Sequence, residues 1–234
     1  MHRILSSTIK RFFSVGALLS IALLQGQTTY GVRVGADLHR LARTALSEDY
    51  SGFELSGDLR LKRTLFLGAE LGNETFADRE TLGDYLLYET TYSGSYLKFG
   101  ADWLVYQQKT KEKNLVTAGV RYALSTFSSD LGAIHVYDSN RIRQPKGFPL
   151  FTSDGPQFDG LNASWIEGVF SFKTGLFNNV YLGASLRLGF LLTENSPDNF
   201  DNLWIPGFNK VTDGARFGLN VNYTLSYLIP ILKR

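Results

Sequence analysis

Between Phe217 and Ile229 every second side chain is apolar. Phe217, Leu219, Val221, Tyr223, Leu225, Tyr227 and Ile229 interleave with Gly218, Asn220, Asn222, Thr224 and Ser226. Side chains on a strand point alternately to opposite faces, so this segment suits a sheet that is oily on one side and polar on the other. Seven further stretches read the same way: Tyr30 to Leu38, Ser51 to Leu61, Leu65 to Gly72, Glu89 to Tyr106, Val116 to Ser125, Leu161 to Thr174, and Val180 to Phe190. Eight alternating segments in a chain of this length predict one all-β domain.

The connections between them carry independent information. Those after the second, fourth and sixth segments are short, at Lys62-Arg63, at Lys109 to Asn114 and at Phe177-Asn178-Asn179. Those after the first, third, fifth and seventh are longer: Arg40 to Tyr50, Thr75 to Tyr88, Leu131 to Gly160, and Glu194 to Gly214. Strict alternation of short and long is the pattern of bacterial membrane barrels, which have tight periplasmic turns and longer external loops. The predicted fold is therefore an eight-stranded antiparallel transmembrane up-and-down β-barrel with both termini on the periplasmic side.

A soluble calyx is the competing fold, with its apolar face inward and its polar face in water. The polar face discriminates between the two. It carries Arg33, Arg60, Lys98, Arg121, Lys173 and Arg187 against Asp37, Glu54, Asp58, Glu70, Asp102 and Glu167, in equal numbers. Between them sit Gly35, Gly68, Gly72, Gly100, Gly119, Gly183 and Gly189. A water-facing surface gains nothing from so many glycines, which weaken strands. A narrow lumen needs small residues, and its charges must compensate one another because unpaired buried charge is costly. These twelve residues are accordingly predicted to form a lumen charge network. The aromatics Trp103, Tyr106 and Tyr227 fall near the short-turn ends, where an interfacial girdle belongs.

The N-terminus fits export. Arg3, Lys10 and Arg11 precede an apolar run from Phe12 to Leu24, the pattern of a signal peptide followed by a cleavage site, placed here near Gln27. The run is short of the roughly 20 residues that a spanning helix needs. Residues 1–27 are read as signal peptide and 28–234 as the barrel, with an outer-membrane destination. Near-balanced charge, 24 Lys+Arg against 22 Asp+Glu, excludes a dedicated nucleic-acid binder. The absence of Cys excludes a disulfide framework, thiolate metal sites and an acylated cysteine.

Candidate chemistry is sparse. His135 lies in the longest loop near Ser128, Ser129, Asp130, Asp138 and Asn140, but no G-x-S-x-G or H-E-x-x-H motif accompanies it. The oxygen-rich run Ser196 to Asn202 lacks calcium-loop spacing and is read as Asx turns. The segment Leu203-Trp204-Ile205-Pro206-Gly207-Phe208 is too apolar to lie bare in an external loop. It folds over the barrel mouth, dips into the outer leaflet or docks a partner, and capping is preferred. For the docking alternative, Trp204, Ile205 and Phe208 are the contact candidates.

Four segments carry a resemblance: Tyr30 to Gly35, Gly160 to Glu167, Pro197 to Asn209, and Ser226-Tyr227-Leu228-Ile229-Pro230. With them the chain resembles an uncharacterised family of secreted or outer-membrane β-barrel proteins from Gram-negative bacteria, known only as a domain of unknown function. The resemblance spans the mature chain and implies membership without an activity; it lends no catalytic or ligand residues. One departure is the C-terminus, Ile231-Leu232-Lys233-Arg234, where outer-membrane barrels commonly end on an aromatic.

The expected role is structural or binding, exercised through the external loops, with no catalysis and no cofactor. Alternatives are a narrow conduit for ions or small solutes and a lipid- or peptide-modifying enzyme at the rim. Expected partners are outer-membrane lipid and, during biogenesis, periplasmic chaperones and the barrel-assembly machinery. A protein or ligand at the external loops is a further possibility, and nucleic acid is not expected.

Overall fold

Period-two alternation drives the chain into long strands, and each strand's unpaired edge drives the sheet to close on itself. The computed structural model describes residues 30–83, 85–107, 114–137, 149–197, 202, 204–210 and 216–232. The predicted signal peptide lies outside the described residues. In chain order the elements are β1 (Tyr30–Asp37), α1 (Leu38–Leu46), β2 (Tyr50–Arg60), β3 (Leu65–Leu82), β4 (Tyr85–Gln107) and β5 (Asn114–Leu131). There follow β6 (Ile134–Val136), β7 (Phe151–Ser153), β8 (Gln157–Phe177), β9 (Val180–Glu194), β10 (Trp204–Ile205), β11 (Asn209–Lys210) and β12 (Phe217–Leu232). Eight of the strands form a closed ring in the order β1-β12-β9-β8-β5-β4-β3-β2. Every neighbouring pair is antiparallel, and β12 closes the ring against β1 with Val34 opposite Tyr227.

The wall is oily outside and charged inside. Leu97, Phe99, Trp103, Val120, Tyr122, Leu186, Leu188, Leu219 and Val221 are exposed, while Lys98, Asp102, Arg121, Glu167 and Arg187 are buried. This is the inverse of a soluble calyx and the arrangement of a wall that faces acyl chains. On β4 the exposed apolar run from Leu97 to Val105 extends about 26 Å along the strand at ~3.3 Å per residue. At a tilt of about 40° that is roughly 20 Å of membrane depth before side-chain reach, close to the ~25 Å band of outer-membrane barrels.

The outer border of the band is a single polar row. Asn73 of β3 is paired with Ser95 of β4, Ser95 with Thr126 of β5, and Thr126 with Asn162 of β8. Asn73 donates to Ser95 Oγ at 3.0 Å and Thr126 donates to Asn162 Oδ1 at 3.1 Å on the outer surface. Beyond this row the two faces exchange character. Ser95, Thr126 and Asp130 point outward, and Tyr92, Phe127, Leu131 and Leu161 point inward and are buried. A sheet that has left lipid for water must turn its apolar side chains to the inside.

Where they are described, the longer connections hold regular structure. The stretch Thr75 to Tyr88, expected as a loop, continues β3 and β4 into a hairpin that turns at Gly83, where φ is +63°. The stretch after β5 carries the small β6–β7 hairpin. The connection after β1 is the helix α1, with Asp37 as its N-cap, the Asp37 carboxylate accepting from the backbone N–H of His39 at 2.8 Å.

Candidate functional site

Alternation puts every second residue of each strand into the lumen, and the register decides which of them meet. Arg121 of β5 grips Asp102 of β4 with both terminal nitrogens, at 2.8 and 2.7 Å, and its Nε reaches Glu70 of β3 at 3.4 Å. Arg187 of β9 crosses the lumen to bond Glu70 and stands 3.7 Å from Glu54 and 3.6 Å from Glu167. Lys98 of β4 donates to Glu167 at 2.8 Å, and the same carboxylate accepts from the Trp165 indole at 2.7 Å. Nearer the short-turn end, Asp58 accepts from Lys173 at 2.6 Å and from Arg33 at 3.2 Å. Arg60 donates to the carbonyl of Arg63 at 2.7 Å and to Gln107 at 3.1 Å. Asp37 pairs with Arg40 at 2.5 Å. Each of the twelve charged positions expected in the lumen thus has a partner across or along the wall.

Two charged residues outside that set join them. Arg40 of α1 bonds Glu74 at 2.6 Å and Asp37 at 2.5 Å, and lies 3.4 Å from Glu54. Glu74 also accepts from the Tyr50 hydroxyl at 2.8 Å and from the backbone N–H of Gly207 at 2.8 Å. Glu74 was legible as the next step of the series Glu70, Gly72, Glu74, had the strand been carried past the lipid border. Arg40 carries no such signal, because its segment shows no strand alternation and folds as the helix α1. Neutral groups complete the network: Tyr96 donates to Glu54 at 2.7 Å, and Asn222 donates to Asp37 at 2.5 Å. Low dielectric makes these bonds strong, and it makes any unpaired member expensive.

Above the charged layer sits an apolar one. Tyr50, Tyr92, Tyr96, Phe127, Trp165, Leu191, Trp204, Ile205 and Phe208 belong to one buried cluster. Trp204, Ile205 and Phe208, named as contact candidates in an external loop, are therefore corrected: at 7%, 0% and 1% exposure they offer a partner no surface. They fold down into the mouth because an apolar run cannot stay in water when a walled apolar cup stands beside it. The wall is shaped to take them. A Cβ on Gly189 would stand 2.7 Å from the Phe208 ring, and one on Gly218 would stand 3.0 Å from it. Phe208 meets Trp165 edge to face with centroids 5.5 Å apart, and Trp204 lies 4.3 Å from Phe76. The polar backbone of this plug is also satisfied: Lys98 donates to the Gly207 carbonyl at 2.9 Å, and Asn220 donates to that of Phe208 at 3.2 Å. The turn requires φ of +82° at Gly207, directly over the Tyr96 ring.

Below the plug a polar cavity of about 40 Å³ is lined by Ser56, Asp58, Asp102, Arg121, Lys173 and Arg187, among others. His135 lies on the exposed β6–β7 hairpin with Nδ1 3.0 Å from Thr152 Oγ1. Of the residues near it in sequence, Ser128, Ser129 and Asp130 are on β5, while Asp138 and Asn140 lie outside the described residues. Part of the oxygen-rich run, 198–201, is also outside them. Among the described residues no cluster of three or more His, Asp or Glu side chains could hold a metal ion.

A closed eight-stranded ring with an oily exterior and an ion-paired, plugged interior defines the class: a small barrel of the membrane type. The family follows from sequence: residues 20–234 match the model of a domain of unknown function (DUF6048), and the chain belongs to that family. No curated protein matches it. Among solved structures it is similar to Neisserial surface protein A, at 10% identity and a TM-score of 0.42, covering 88% of this chain and 100% of that one. It is also similar to Ail, the attachment invasion locus protein of Yersinia pestis, at 5% identity and a TM-score of 0.39, covering 85% and 96%. A major outer membrane protein from Thermus thermophilus is similar at 12% identity and a TM-score of 0.39, covering 86% and 100%. At those values the likeness is too loose to support an argument about what this chain does.

Proposed function

We propose that the protein is a sealed outer-membrane barrel with a structural or binding role, non-catalytic, whose lumen charges serve as an internal frame and whose external end meets other molecules. One observation carries this reading. The mouth is closed by the chain's own Trp204–Phe208 segment, buried and bonded to Glu74, Lys98 and Asn220. Beneath it Arg121 and Arg187 bridge acids from different strands. An eight-stranded ring has an interior just wide enough for side chains to fill, and here both layers fill it. What remains for contact is the polar outer surface above the row of Asn73, Ser95, Thr126 and Asn162, carried by the extended hairpins.

The test is conductance in planar bilayers. Silent bilayers at all voltages support a sealed barrel. Discrete steps whose size changes when Arg121 or Glu167 is neutralised would overturn it in favour of a conduit. Heat-modifiable gel migration of protein taken from isolated outer membranes checks the location, since a folded barrel runs at a different apparent mass before boiling.

A further inference from the structure

Charge in this chain is sorted along the barrel axis. With Glu74 and Arg40 added to the twelve expected positions, acids and bases inside the wall are equal in number, so the net charge lies at the two ends. The outer end is acidic: Glu48, Glu80, Asp130, Asp154, Asp159 and Glu194 are exposed there. The short-turn end is the opposite. Lys62 and Arg63 are exposed in the β2–β3 turn, and neither forms an ion pair among the described residues. No acid is exposed among the described residues of that end, where Asp58 is held inside by Arg33 and Lys173. The sequence adds further cations to the segments that leave the wall here. The connection from Gln107 to Asn114 carries Lys109, Lys111 and Lys113 against Glu112, and Leu232 is followed by Lys233 and Arg234, all of them outside the described residues.

The turn holds its two cations close to the oily band. Leu61 and Lys62 both donate their backbone N–H to the Leu65 carbonyl, at 3.0 and 3.1 Å, and the Leu65 N–H donates to the Lys62 carbonyl at 3.3 Å. The turn is also fastened to the wall, the Leu104 N–H donating to the Thr64 carbonyl at 2.8 Å. Leu65 itself pairs with Trp103, which is 52% exposed near the foot of the band, with Val105 and Tyr106 beyond it at 62% and 58%. Arg63 is only two residues from Leu65, at most about 7 Å of backbone at ~3.3 Å per residue. A turn this tight cannot carry its charges away from the bilayer surface. They stand within about a Debye length, ~8 Å at physiological ionic strength, of the level where Trp103 meets lipid.

We propose that the short-turn end is a headgroup surface: Lys62 and Arg63 gather anionic phospholipids, of the phosphatidylglycerol kind, around the barrel in the periplasmic leaflet. Two observations together select the occupant. The cations have no ion pair among the described residues, so their complement is an anion supplied from outside. They also stand at the rim of the exposed apolar wall, so the anion at that height belongs to a molecule whose chains lie against Trp103, Val105 and Tyr106. An Arg fork takes two phosphate oxygens, and a Lys ammonium acts as a point charge beside it. Each such cation near an anionic surface corresponds to about a fivefold preference. The inference rests on the membrane reading above, and it concerns the end of the barrel opposite to the external hairpins.

Trp103 is the reporter, because its strand partner Leu65 ends the turn. The protein is reconstituted in phosphatidylcholine vesicles that carry the same small fraction of either brominated phosphatidylglycerol or brominated phosphatidylcholine, with the bromines high on the acyl chain. Bromine quenches tryptophan on close approach. The expected result is stronger quenching by the phosphatidylglycerol, a difference lost in Trp103→Phe, whose remaining Trp165 and Trp204 are buried. In Lys62→Gln/Arg63→Gln the preference falls severalfold, and in Lys62→Glu/Arg63→Glu it reverses. Molar salt narrows it in the parent. Folding of both variants is checked by heat-modifiable migration; the bond from Arg60 goes to the Arg63 backbone carbonyl and is untouched by either. Equal quenching of the parent by the two lipids overturns the proposal. So does a preference that survives in both turn variants. A preference abolished by polyglutamate at a concentration below that of the anionic lipid also overturns it, because the surface would then take a soluble acidic partner. Trp103 left unquenched by either lipid would sink the membrane reading instead.

Discussion

Glu70 is the carboxylate on which the centre of the lumen balances. It accepts from Arg187 and lies 3.4 Å from Nε of Arg121, and its side chain is only 5% exposed. Replacing it with Met leaves Arg187 with no acid nearer than Glu167 at 3.6 Å and Glu54 at 3.7 Å. Stranding a buried cation in this way costs about 3–5 kcal/mol, a shift of at least a hundredfold in the folding equilibrium at ~1.4 kcal/mol per tenfold. The double variant Glu70→Met/Arg187→Met behaves differently. Glu167 keeps Lys98 at 2.8 Å and the Trp165 indole at 2.7 Å, Glu54 keeps Tyr96 at 2.7 Å, and Arg121 keeps both bonds to Asp102. No charge is stranded, so the double variant is expected within about 1 kcal/mol of the parent, or above it. Urea unfolding from lipid vesicles, followed by tryptophan emission and by gel migration without heating, measures all three proteins. A double variant less stable than Glu70→Met alone would refute the claim that pairing, and not the individual charges, holds the interior.

Gly207→Ala places a Cβ 2.5 Å from the Tyr96 ring at a φ of +82°; strain of about 1–3 kcal/mol is expected to unseat the plug without unfolding the wall, seen as a red shift of Trp204 emission. Thr44→Val removes both contacts of Thr44 Oγ1 to Gly52, at 2.8 and 3.0 Å, and is expected to cost about 1–3 kcal/mol, with faster amide exchange confined to α1 and the outer end of β2. Arg79→Ala breaks exposed pairs with Glu89 at 2.6 Å and Asp49 at 3.1 Å. The hydrogen bond and charge of Glu89, then the charge of Asp49, hold the Arg79 guanidinium above its ordinary pKa. Solvent screens such a pair, so the urea midpoint is expected to stay where it was, and a clear drop would count against that assignment.

The parts of the structure legible in the sequence are those where one periodicity holds. From Leu97 to Trp103, and from Val120 to Leu124, alternation with its apolar face outward assigns each side chain to lipid or lumen. The reading of the third and fifth segments stops at Gly72 and Ser125 because the same alternation continues beyond them with its faces exchanged. Tyr92 and Tyr96 remain inward while serines replace leucines outside. A reader following oily outward positions sees the strand end where it only leaves the membrane, and Glu74 is lost with it. Helix α1 was hidden by its brevity. Leu38, Leu41, Ala42, Ala45 and Leu46 follow helical spacing behind an Asp N-cap, but so short a helix between strands is easily taken for a loop. The plug illustrates a different limit: composition shows that Trp204 and Phe208 must be covered, while the glycine hollow that covers them comes from Gly189 and Gly218, on two other strands.

Two asparagines on β12 sit one step apart on its inner face and reach different things. Asn220 takes hold of the carbonyl of Phe208, and Asn222 takes hold of Asp37 at the head of α1. β12 is also the last strand in the chain and the one whose zipping to β1 leaves the cylinder without a seam. The strand that closes the ring thus also carries one of the bonds that hold the plug and one of those that hold the head of the helix.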